Sequence, residues 1–364
     1  MHIAVIIPAY NAAAWLADCL GSLRAQIHTD WSAFVVDDGS ADDTAGVAQR
    51  FGDPRIRLLR QTNAGVSAAR NRGIRHALGH NETAALLFLD ADDWLAPTAL
   101  QRLACALSDA VGGVAGNGAG GISGNGAGAV AENGADGIFG NGADGISGAG
   151  VPITAQGGAR IVAAVGGHAV VAPDGTTRVA RLPPGGALLE RLLVRNLFIN
   201  GGQILICRQA VAAVGLFNTD LAFGEDWDYW SRLAAVGEFA VTAGRAPVLF
   251  ARERGDSAYR RLAIDPGHNG AAIAAIYANP VLAKRHSGKA LTRLRRKAEA
   301  DSAWIAGREL IRHGRPDDGW RWLLRSWIEA PGLKRAGLLL LARLRLGPFR
   351  RYRFGAPPTV AATS

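Results

Sequence analysis

Short apolar segments alternate with longer helix-like segments through the first hundred residues, and this alternation restricts the possible fold more than any other feature. Segments of strand length occur at 3–7, 34–37, 56–59 and 86–89, each followed by a segment typical of a helix. Such alternation predicts an α/β fold, with a mostly parallel sheet covered by helices on both faces. In sheets of this kind, ligands bind beyond the carboxyl ends of the strands.

All four predicted strands end in polar residues. The segments are Pro8-Ala9-Tyr10-Asn11, Asp37-Asp38-Gly39-Ser40, Gln61-Thr62-Asn63 and Asp90-Ala91-Asp92-Asp93. Carboxyl ends of neighbouring parallel strands share one edge of a sheet, so these segments are predicted to converge, as a nucleotide site requires. Ser40 is also predicted to be the N-cap of the second helix.

Asp90, Asp92 and Asp93 follow the fourth apolar segment directly. Three carboxylates at the end of a buried strand are costly unless a cation lies beside them. One interpretation is a hard divalent cation, which takes oxygen ligands and often accompanies a phosphate. The other is a solvated turn whose acids cap the helix near Pro97. These residues alone support both interpretations equally.

Other phosphate-binding motifs are missing from the chain. The loop after the first strand lacks the glycines of a dinucleotide fingerprint, and no GxxxxGK[ST] segment occurs. Asp38 has two possible roles, accepting the imide N–H of a uracil base and capping the following helix, and the two are compatible. Arg70 would either reach a phosphate or a base, or lie on the surface.

A second acidic segment, Glu225 and Asp226, opens a predicted amphipathic helix at 226–236. Acids at a helix start are favourable with the helix dipole, which is the simpler interpretation. Trp227 and Trp230 lie on the apolar face of this helix. Their positions favour core packing over contact with a sugar.

Together these segments resemble family 2 glycosyltransferases. They are Val5 to Asn11, Val35 to Ser40, Asn63 to Asn71, Asp90 to Asp93, Ala213 to Asn218, and Glu225-Asp226. The resemblance covers about 1–110 and 185–260. It implies the GT-A fold, a mixed sheet with helices on both faces. It also implies a nucleotide-diphosphate sugar donor (a UDP-sugar is favoured), a divalent Mn²⁺ or Mg²⁺ ion, and inversion at the anomeric centre.

The resemblance also implies roles for individual residues. Contacts to the nucleotide sugar are implied for Pro8, Ala9, Tyr10, Asp38, Asn63, Arg70, Asp90, Ala91 and Asp92. Asp92 and Asp93 would bind the metal, and Asp226 would be the catalytic base. Contacts to the acceptor or the diphosphate are implied for Glu225, Trp227, Arg252 and Arg254. Arg254 stands where many members carry a histidine, and its fixed charge would neutralise the diphosphate directly.

A glycine-rich repeat separates two predicted halves of the GT-A domain. Residues 1–111 and 151–260 are predicted to be the nucleotide-sugar-binding and acceptor-binding halves of the GT-A domain. Between them, 112–150 contains four octapeptides that begin at Asn117, Asn125, Asn133 and Asn141. These repeats favour a flexible insertion over a small β-solenoid, because four short repeats bury little surface.

The carboxyl-terminal part is predicted to be a helical appendage. Residues 261–290 are predicted to be a connector, 291–352 to be helices interrupted at Gly314-Arg315-Pro316, and 353–364 to be a disordered tail. The formal net charge is +9, and the basic residues concentrate after residue 245. The basic, leucine-rich segment 333–353 would either contact an anionic membrane or pack on the domain, and both interpretations are equally supported.

Little aromatic interleaving accompanies the basic residues, and no nucleic-acid motif occurs, so nucleic acid is not expected as a partner. The three widely spaced cysteines favour a reducing compartment. No basic segment precedes the first strand, so no signal peptide is predicted. We therefore expect a cytoplasmic protein, at the inner face of the plasma membrane if 333–353 contacts lipid.

The leading functional hypothesis is an inverting transferase that moves a sugar to a glycan or a lipid-linked acceptor in cell-surface or exported polysaccharide synthesis. One alternative is a nucleotidyltransferase that makes nucleotide sugars, but it would need a glycine-rich basic loop after the first strand. Another is a non-catalytic glycan-binding or scaffold protein on the same fold. The presence of Asp38, Asp92 and Asp226 argues against that alternative.

Overall fold

The computed structural model describes residues 1–112, 160–180, 182–254 and 266–343. The predictions for the octapeptide repeats and for the tail at 353–364 lie outside these ranges. Within the described ranges, no helix is both long and apolar enough to cross a bilayer.

A seven-stranded mixed sheet forms the centre of the molecule. Its strands are β1 (His2–Ala9), β2 (Trp31–Asp37), β3 (Ile56–Arg60), β4 (Thr83–Phe88), β6 (Ile161–Val165), β9 (Ile204–Cys207) and β10 (Glu238–Val241), in the order β10-β6-β9-β4-β1-β2-β3. β1 pairs in parallel with β2 and β4, whereas β9 is antiparallel to β4 and β6. The predicted mixed α/β sheet is confirmed.

A smaller four-stranded sheet lies beside the carboxyl end of β4. Its strands are β5 (Trp94–Leu95), β7 (Gly167–Val171), β8 (Thr177–Val179) and β11 (Pro247–Arg252), in the order β5-β11-β7-β8. β5 begins directly after the acidic turn 90–93 and pairs antiparallel with β11. This pairing brings the end of β11 to the acidic turn.

Helices cover the central sheet. They are α1 (Leu16–Arg24), α2 (Thr44–Arg50), α3 (Val66–Leu78), α4 (Ala99–Gly112), α5 (Leu189–Leu192), α6 (Arg208–Val214) and α7 (Glu225–Val236). Ile3 through Ile7 are all fully buried in β1. Because consecutive strand residues point to opposite faces, this run requires both faces of the sheet to be covered. Gly73 lets α3 approach β1 closely, since a Cβ there would lie 2.4 Å from the Cγ2 of Ile6.

The predicted N-cap of the second helix is wrong. α2 begins at Thr44 without a side-chain cap. Ser40 instead accepts a hydrogen bond from the backbone N–H of Asn11 (3.0 Å). The Asn11 side chain in turn accepts one from the N–H of Ala41 (2.9 Å). Ser40 therefore joins the loops after β1 and β2, a partner that local sequence does not reveal.

The segment predicted to be a connector, 261–290, is largely helical over its described residues. The helices are α8 (Pro266–Tyr277), α9 (Pro280–Arg285), and the beginning of α10 (Gly288–Arg312). Asn279 caps α9 by accepting a hydrogen bond from the N–H of Val281 (3.0 Å). Ser287 caps α10 in the same way, through the N–H of Ala290 (3.4 Å). The side-chain caps mark where these two helices begin more clearly than apolar periodicity does.

The predicted interruption at 314–316 is confirmed. α10 ends at Arg312, and α11 (Pro316–Glu329) returns against it, followed by α12 (Leu333–Arg343). Ile311, Leu323 and Leu339 form a small core of their own between these three helices. The appendage is therefore held by its own packing as well as by contacts of α10 with α8.

Candidate active site

The four polar strand ends meet at one edge of the central sheet. The N–H of Asp38 donates to the carbonyl of Ala9 (2.8 Å), and the N–H of Leu89 donates to the carbonyl of Ile6 (2.9 Å). The N–H of Gln61 donates to the carbonyl of Asp37 (3.0 Å). These bonds hold the loops after β1, β2, β3 and β4 side by side, as the strand pattern predicts.

Asp38 fastens the loop before α3. Its carboxylate accepts hydrogen bonds from the side chain of Gln61 (2.7 Å) and from the backbone N–H groups of Ala64 (2.9 Å) and Gly65 (2.8 Å). Capping of the following helix α2, one of its two predicted roles, is therefore wrong. Asp38 is 3% exposed, so its carboxylate lies beneath the surface of the site and holds the loop before α3 in place.

Arg70 connects the two acidic segments. One guanidinium nitrogen lies 3.0 Å from the carboxylate of Asp90 and the other 2.8 Å from that of Glu225. The side chain also lies over the ring of Phe217 (5.3 Å) and is buried. The surface position that sequence left open for Arg70 is wrong. Arg70 instead joins the end of β4 to the start of α7.

Asn71 strengthens the same junction. Its side-chain amide donates to the carbonyl of Phe217 (2.9 Å) and accepts from the N–H of Phe217 (2.7 Å). Asn71 and the backbone of Phe217 are buried, so water cannot reach these polar groups. The two hydrogen bonds therefore satisfy groups that would otherwise have no partner. α3 is thereby fixed to the loop that precedes α7.

Asp226 is held by two donors. The amide of Asn196 donates to one carboxylate oxygen (2.9 Å), and the backbone N–H of Trp227 donates to the other (2.6 Å). Burial, followed by the nearby charge of Glu225, raises the pKa of Asp226 to about 7, although Arg70 opposes the shift. A carboxyl group with such a pKa can accept a proton near neutral pH.

Asp93 fastens the acidic turn to the rest of the fold. One of its oxygens accepts from the amide of Asn200 (2.5 Å) and the other from the backbone N–H of Arg252 (2.8 Å). The side chain is 4% exposed. Burial and the charges of Asp90 and Asp92 raise its pKa well above the usual range. This geometry argues against Asp93 as the predicted metal ligand, since both oxygens already bind donors and point into the protein.

Asp90 and Asp92 present their carboxylates at the rim, with side chains 31% and 28% exposed. Among the described residues, no cluster of three or more His, Cys, Asp or Glu side chains is arranged to hold a metal. Two carboxylates nevertheless suit a divalent ion that takes its other ligands from water and from substrate phosphates. The donors at this rim therefore fit the predicted cation.

Two arginines from the end of β11 flank the acidic turn. Arg252 donates to the carbonyl of Asp92 (3.1 Å) and to the carboxylate of Asp18 (2.9 Å). Arg254 forms an ion pair with Asp92 (3.2 Å) and lies over the ring of Trp15 (3.8 Å). Both arginines predicted near the diphosphate thus come together with the acidic segment.

The remaining predicted residues differ in their access to ligand. Tyr10 is 55% exposed at the site edge, and Asn63 is also exposed, whereas Ala9 and Ala91 are buried and Pro8 is half-buried. All five residues lie at the same edge of the sheet, at or just after the ends of their strands.

Trp227 does not face the site. Its side chain is 6% exposed, and its indole N–H donates to the carbonyl of Leu192 (2.6 Å). Trp230 is also buried. Core packing, the favoured interpretation of both tryptophans, is confirmed, and the acceptor contact implied for Trp227 is wrong.

Sequence reasoning missed Asn196 and Asn200, which hold Asp226 and Asp93. Both lie in the irregular segment between α5 and the 3₁₀ turn Gly201–Gln203. The local signal is that the two asparagines stand four residues apart with Leu197, Phe198 and Ile199 between them. This pattern does not reveal that their side chains bind Asp226 and Asp93.

Part of the chain is similar in sequence to known proteins. Residues 4–141 match the family described as Glycosyl transferase family 2. The uncharacterized glycosyltransferase YibD of Escherichia coli K12 is 41% identical over 103 residues, which are 28% of this chain and 29% of that protein. Chondroitin synthase of Escherichia coli is 35% identical over 101 residues, 27% of this chain and 14% of that protein. The matches thus span less than a third of either relative.

Solved structures resemble the chain over most of its length. The crystal structure of Staphylococcus aureus TarS 1–349 has a TM-score of 0.53 at 15% identity, covering 95% of this chain and 88% of that one. The complex of the same protein with UDP-GlcNAc has a TM-score of 0.52 at 16% identity, with the same coverage. At these identities the likeness concerns the fold alone, and it confirms the predicted GT-A architecture.

Proposed function

Because residues 4–141 match glycosyl transferase family 2 and the chain has the GT-A fold, we propose that this protein is an inverting glycosyltransferase. It transfers a sugar from a nucleotide-diphosphate sugar to a hydroxyl group of a glycan or a lipid-linked acceptor. The observation that carries the proposal is the bridge formed by Arg70. This side chain contacts both Asp90 and Glu225, so the strand-end acids and the Asp226 base belong to one site.

The proposed donor is a UDP-sugar, bound by the loops after β1 to β4. Support comes from the likeness to a protein solved with UDP-GlcNAc. Tyr10 and Asn63 are the exposed side chains at this edge that would contact the nucleotide. The relationship to chondroitin synthase supports a role in cell-surface or exported polysaccharide synthesis.

We propose that Asp92, with Asp90, holds Mn²⁺ or Mg²⁺. The bound cation would neutralise negative charge on the departing diphosphate. Asp93 holds the turn in place through Asn200 and the backbone of Arg252, and so orients the two ligands. Arg254 lies close enough to Asp92 to add a fixed positive charge beside the diphosphate.

Asp226 is the proposed catalytic base. The acceptor oxygen forms a bond with the anomeric carbon, the bond to the diphosphate oxygen breaks with its electron pair, and the acceptor proton passes to Asp226. Glu225 does not compete for this role, because it is engaged in the ion pair with Arg70. A single displacement with one base inverts the anomeric centre, unlike a mechanism with two carboxylates and a covalent intermediate.

We propose a cytoplasmic location at the inner face of the plasma membrane, because lipid-linked glycans are among the proposed acceptors. For the segment 333–353, the sequence supports membrane contact and packing on the domain equally, and the structure describes 333–343.

A screen of nucleotide sugars with Mn²⁺ tests the proposed function. We expect one nucleotide-diphosphate sugar to raise the melting temperature and to be hydrolysed slowly with release of the nucleoside diphosphate. Release of pyrophosphate from a sugar phosphate and a nucleoside triphosphate would instead identify a nucleotidyltransferase. Absence of both turnover and stabilisation across the screen would favour a non-catalytic protein.

Replacing the proposed base sharpens the test. Asp226→Asn should abolish transfer and leave the affinity for the nucleotide sugar within a few-fold, because the base acts on the acceptor proton. Asp220→Asn, an exposed carboxylate in the preceding loop, is the matched control and should retain activity. Normal turnover by Asp226→Asn would contradict the assignment of the base.

A further inference from the structure

The beginning of α10 carries a row of exposed cations. Lys289, Arg293, Arg296 and Lys297 lie on one helical face, and Lys284 and Arg285 of α9 precede them. In the part of the chain that the structure describes, none of these six side chains forms an ion pair, whereas Arg295 pairs with Glu299. A concentration of unpaired positive charge attracts an anionic partner.

Four of these cations line a cleft. Lys289, Arg293, Arg296 and Lys297 form one wall, and residues 329–331, at the turn between α11 and α12, form the other. The cleft is open to solvent and has a volume of about 640 Å³. Among the described residues that line the cleft, Glu329 is the single acid, so these residues carry a large excess of positive charge. We name this site the basic cleft.

Exposed apolar side chains flank the far wall of the basic cleft. Ile328 immediately precedes this wall and is 65% exposed, and Leu333 follows it closely and is 93% exposed. Trp327 and Leu340 add partly exposed apolar surface on α11 and α12. Large apolar side chains grouped beside a basic cluster are typical of surfaces that lie in a membrane interface.

We propose that this end of the helical appendage docks on an anionic membrane. The basic cleft receives phosphate headgroups, and Ile328 and Leu333 enter the boundary between headgroups and acyl chains. A second copy of the chain is a poorer occupant, because it would place two sets of unpaired cations against each other. Nucleic acid is also poorer, because it offers no apolar layer for the exposed Ile328 and Leu333.

The proposal deepens the proposed function, since docking would bring the active site to lipid-linked acceptors, but vesicle binding does not depend on transfer. It also differs from membrane contact through 333–353 alone, one of the two interpretations of that segment. The main charges come from α9 and α10, and the described part of 333–353 contributes chiefly apolar contacts through Leu333 and Leu340.

Sedimentation of the full chain with vesicles tests the proposal. We expect binding to vesicles containing phosphatidylglycerol, little binding to pure phosphatidylcholine, and weaker binding as salt rises. Each Lys or Arg beside an anionic surface strengthens binding roughly fivefold, so Arg293→Gln with Arg296→Gln should weaken it by at least about tenfold. Ile328→Ser with Leu333→Ser should also reduce binding, including at low salt.

Arg75→Gln with Arg245→Gln is the matched control, because it removes the same charge from exposed positions away from the basic cleft. Equal loss of binding in the control and in the Arg293/Arg296 variant would overturn the proposal, since net charge alone would then explain the effect. Binding to neutral and anionic vesicles alike would also overturn it. Self-association removed by Ile328→Ser, without vesicle binding, would identify a second copy as the occupant and overturn it too.

Melting curves and nucleotide-sugar hydrolysis without vesicles should be unchanged in the Arg293/Arg296 variant. Hydrolysis by a protein that does not bind vesicles would overturn the docking proposal alone. Vesicle binding without turnover of any nucleotide sugar would support docking and contradict the proposed function. The two proposals can therefore fail separately.

Discussion

Each acidic side chain of the site has different partners. Glu225 is paired with Arg70, and Asp93 binds two amide donors inside the protein. Asp92 lies at the rim against a guanidinium. Asp226 accepts from two neutral donors, and its pKa is raised to about 7. The carboxylates of the site thus differ in charge state and role because their hydrogen-bond partners and burial differ.

The pKa of Asp226 predicts the pH dependence of transfer. A base must be deprotonated, so kcat/KM should rise with pH through about 7. Asn196→Ala removes a hydrogen bond that stabilises the charged carboxylate, so the pKa of Asp226 should rise and the ascending limb should move to higher pH. Asn269→Ala, on α8, is the control and should leave the pH profile unchanged. An unchanged limb in Asn196→Ala would show that another group controls it.

The same shift predicts a change in stability. The folded-state pKa of Asp226 exceeds that of an unfolded aspartate, so the folded protein binds more protons between about pH 4 and 7. This contribution to stability is present at low pH and is lost as pH rises through about 7. The melting temperature of Asp226→Asn, relative to the original protein, should therefore increase from pH 5 to pH 8. A constant difference across that range would contradict the raised pKa.

Arg254 competes with any cation for Asp92. Arg254→Gln should strengthen Mn²⁺ binding to the nucleotide-free protein about two- to fivefold, the magnitude of a partly exposed ion pair. It should also weaken nucleotide-sugar binding, because a fixed charge beside the diphosphate is lost. Electron paramagnetic resonance of free Mn²⁺ measures the first effect, with Arg245→Gln as the control. Weaker Mn²⁺ binding in Arg254→Gln would show that Asp92 and Arg254 do not compete.

At the scale of elements, two glycines set the distance between α10 and α11. A Cβ at Gly319 would lie 2.5 Å from both the carbonyl oxygen of Gly307 and the Cγ1 of Ile311. A Cβ at Gly307 would lie 2.8 Å from the carbonyl oxygen of Gly319. Backbone oxygens cannot move aside as a flexible side chain can, so the two helices cross closely because both residues lack a side chain.

Gly319→Ala should therefore destabilise the appendage by about 1–3 kcal/mol, the cost of overpacking a close contact. Gly21→Ala is the matched control, since a Cβ at this position in α1 meets no atom within 4 Å. The control should be neutral or more stable by up to about 1 kcal/mol, because alanine favours helix. Urea denaturation followed by circular dichroism measures both variants. Equal stability of the two would show that the crossing can relax.

At the scale of the whole molecule, α3 holds together parts of the chain that are distant in sequence. Arg70 joins Asp90 to Glu225, and Asn71 joins α3 to the backbone of Phe217. The edge that would bind the nucleotide sugar and the helix that carries the base therefore depend on two neighbouring residues. Close positioning of this kind is what a displacement reaction requires.

Asn71→Ala should destabilise the whole domain. It leaves the buried N–H and carbonyl of Phe217 without their partner, which costs about 1–3 kcal/mol for each buried group. Asn63→Ala, at an exposed position in the preceding loop, is the control for thermal unfolding. A melting temperature for Asn71→Ala equal to that of the control would show that water replaces the lost hydrogen bonds.

The amino-acid sequence by itself determined the four strands, their polar ends, the acidic segments and the break between α10 and α11. These features are readable because each depends on residues adjacent in the chain, through apolar periodicity and helix-breaking residues. Tertiary structure alone decided that Arg70 is buried between two acids, that Asp93 faces inward, and that Asn196 and Asn200 belong to the site. Each of those assignments depends on a partner 20 or more residues away, and only the packing of the sheets and helices brings such partners within hydrogen-bonding distance.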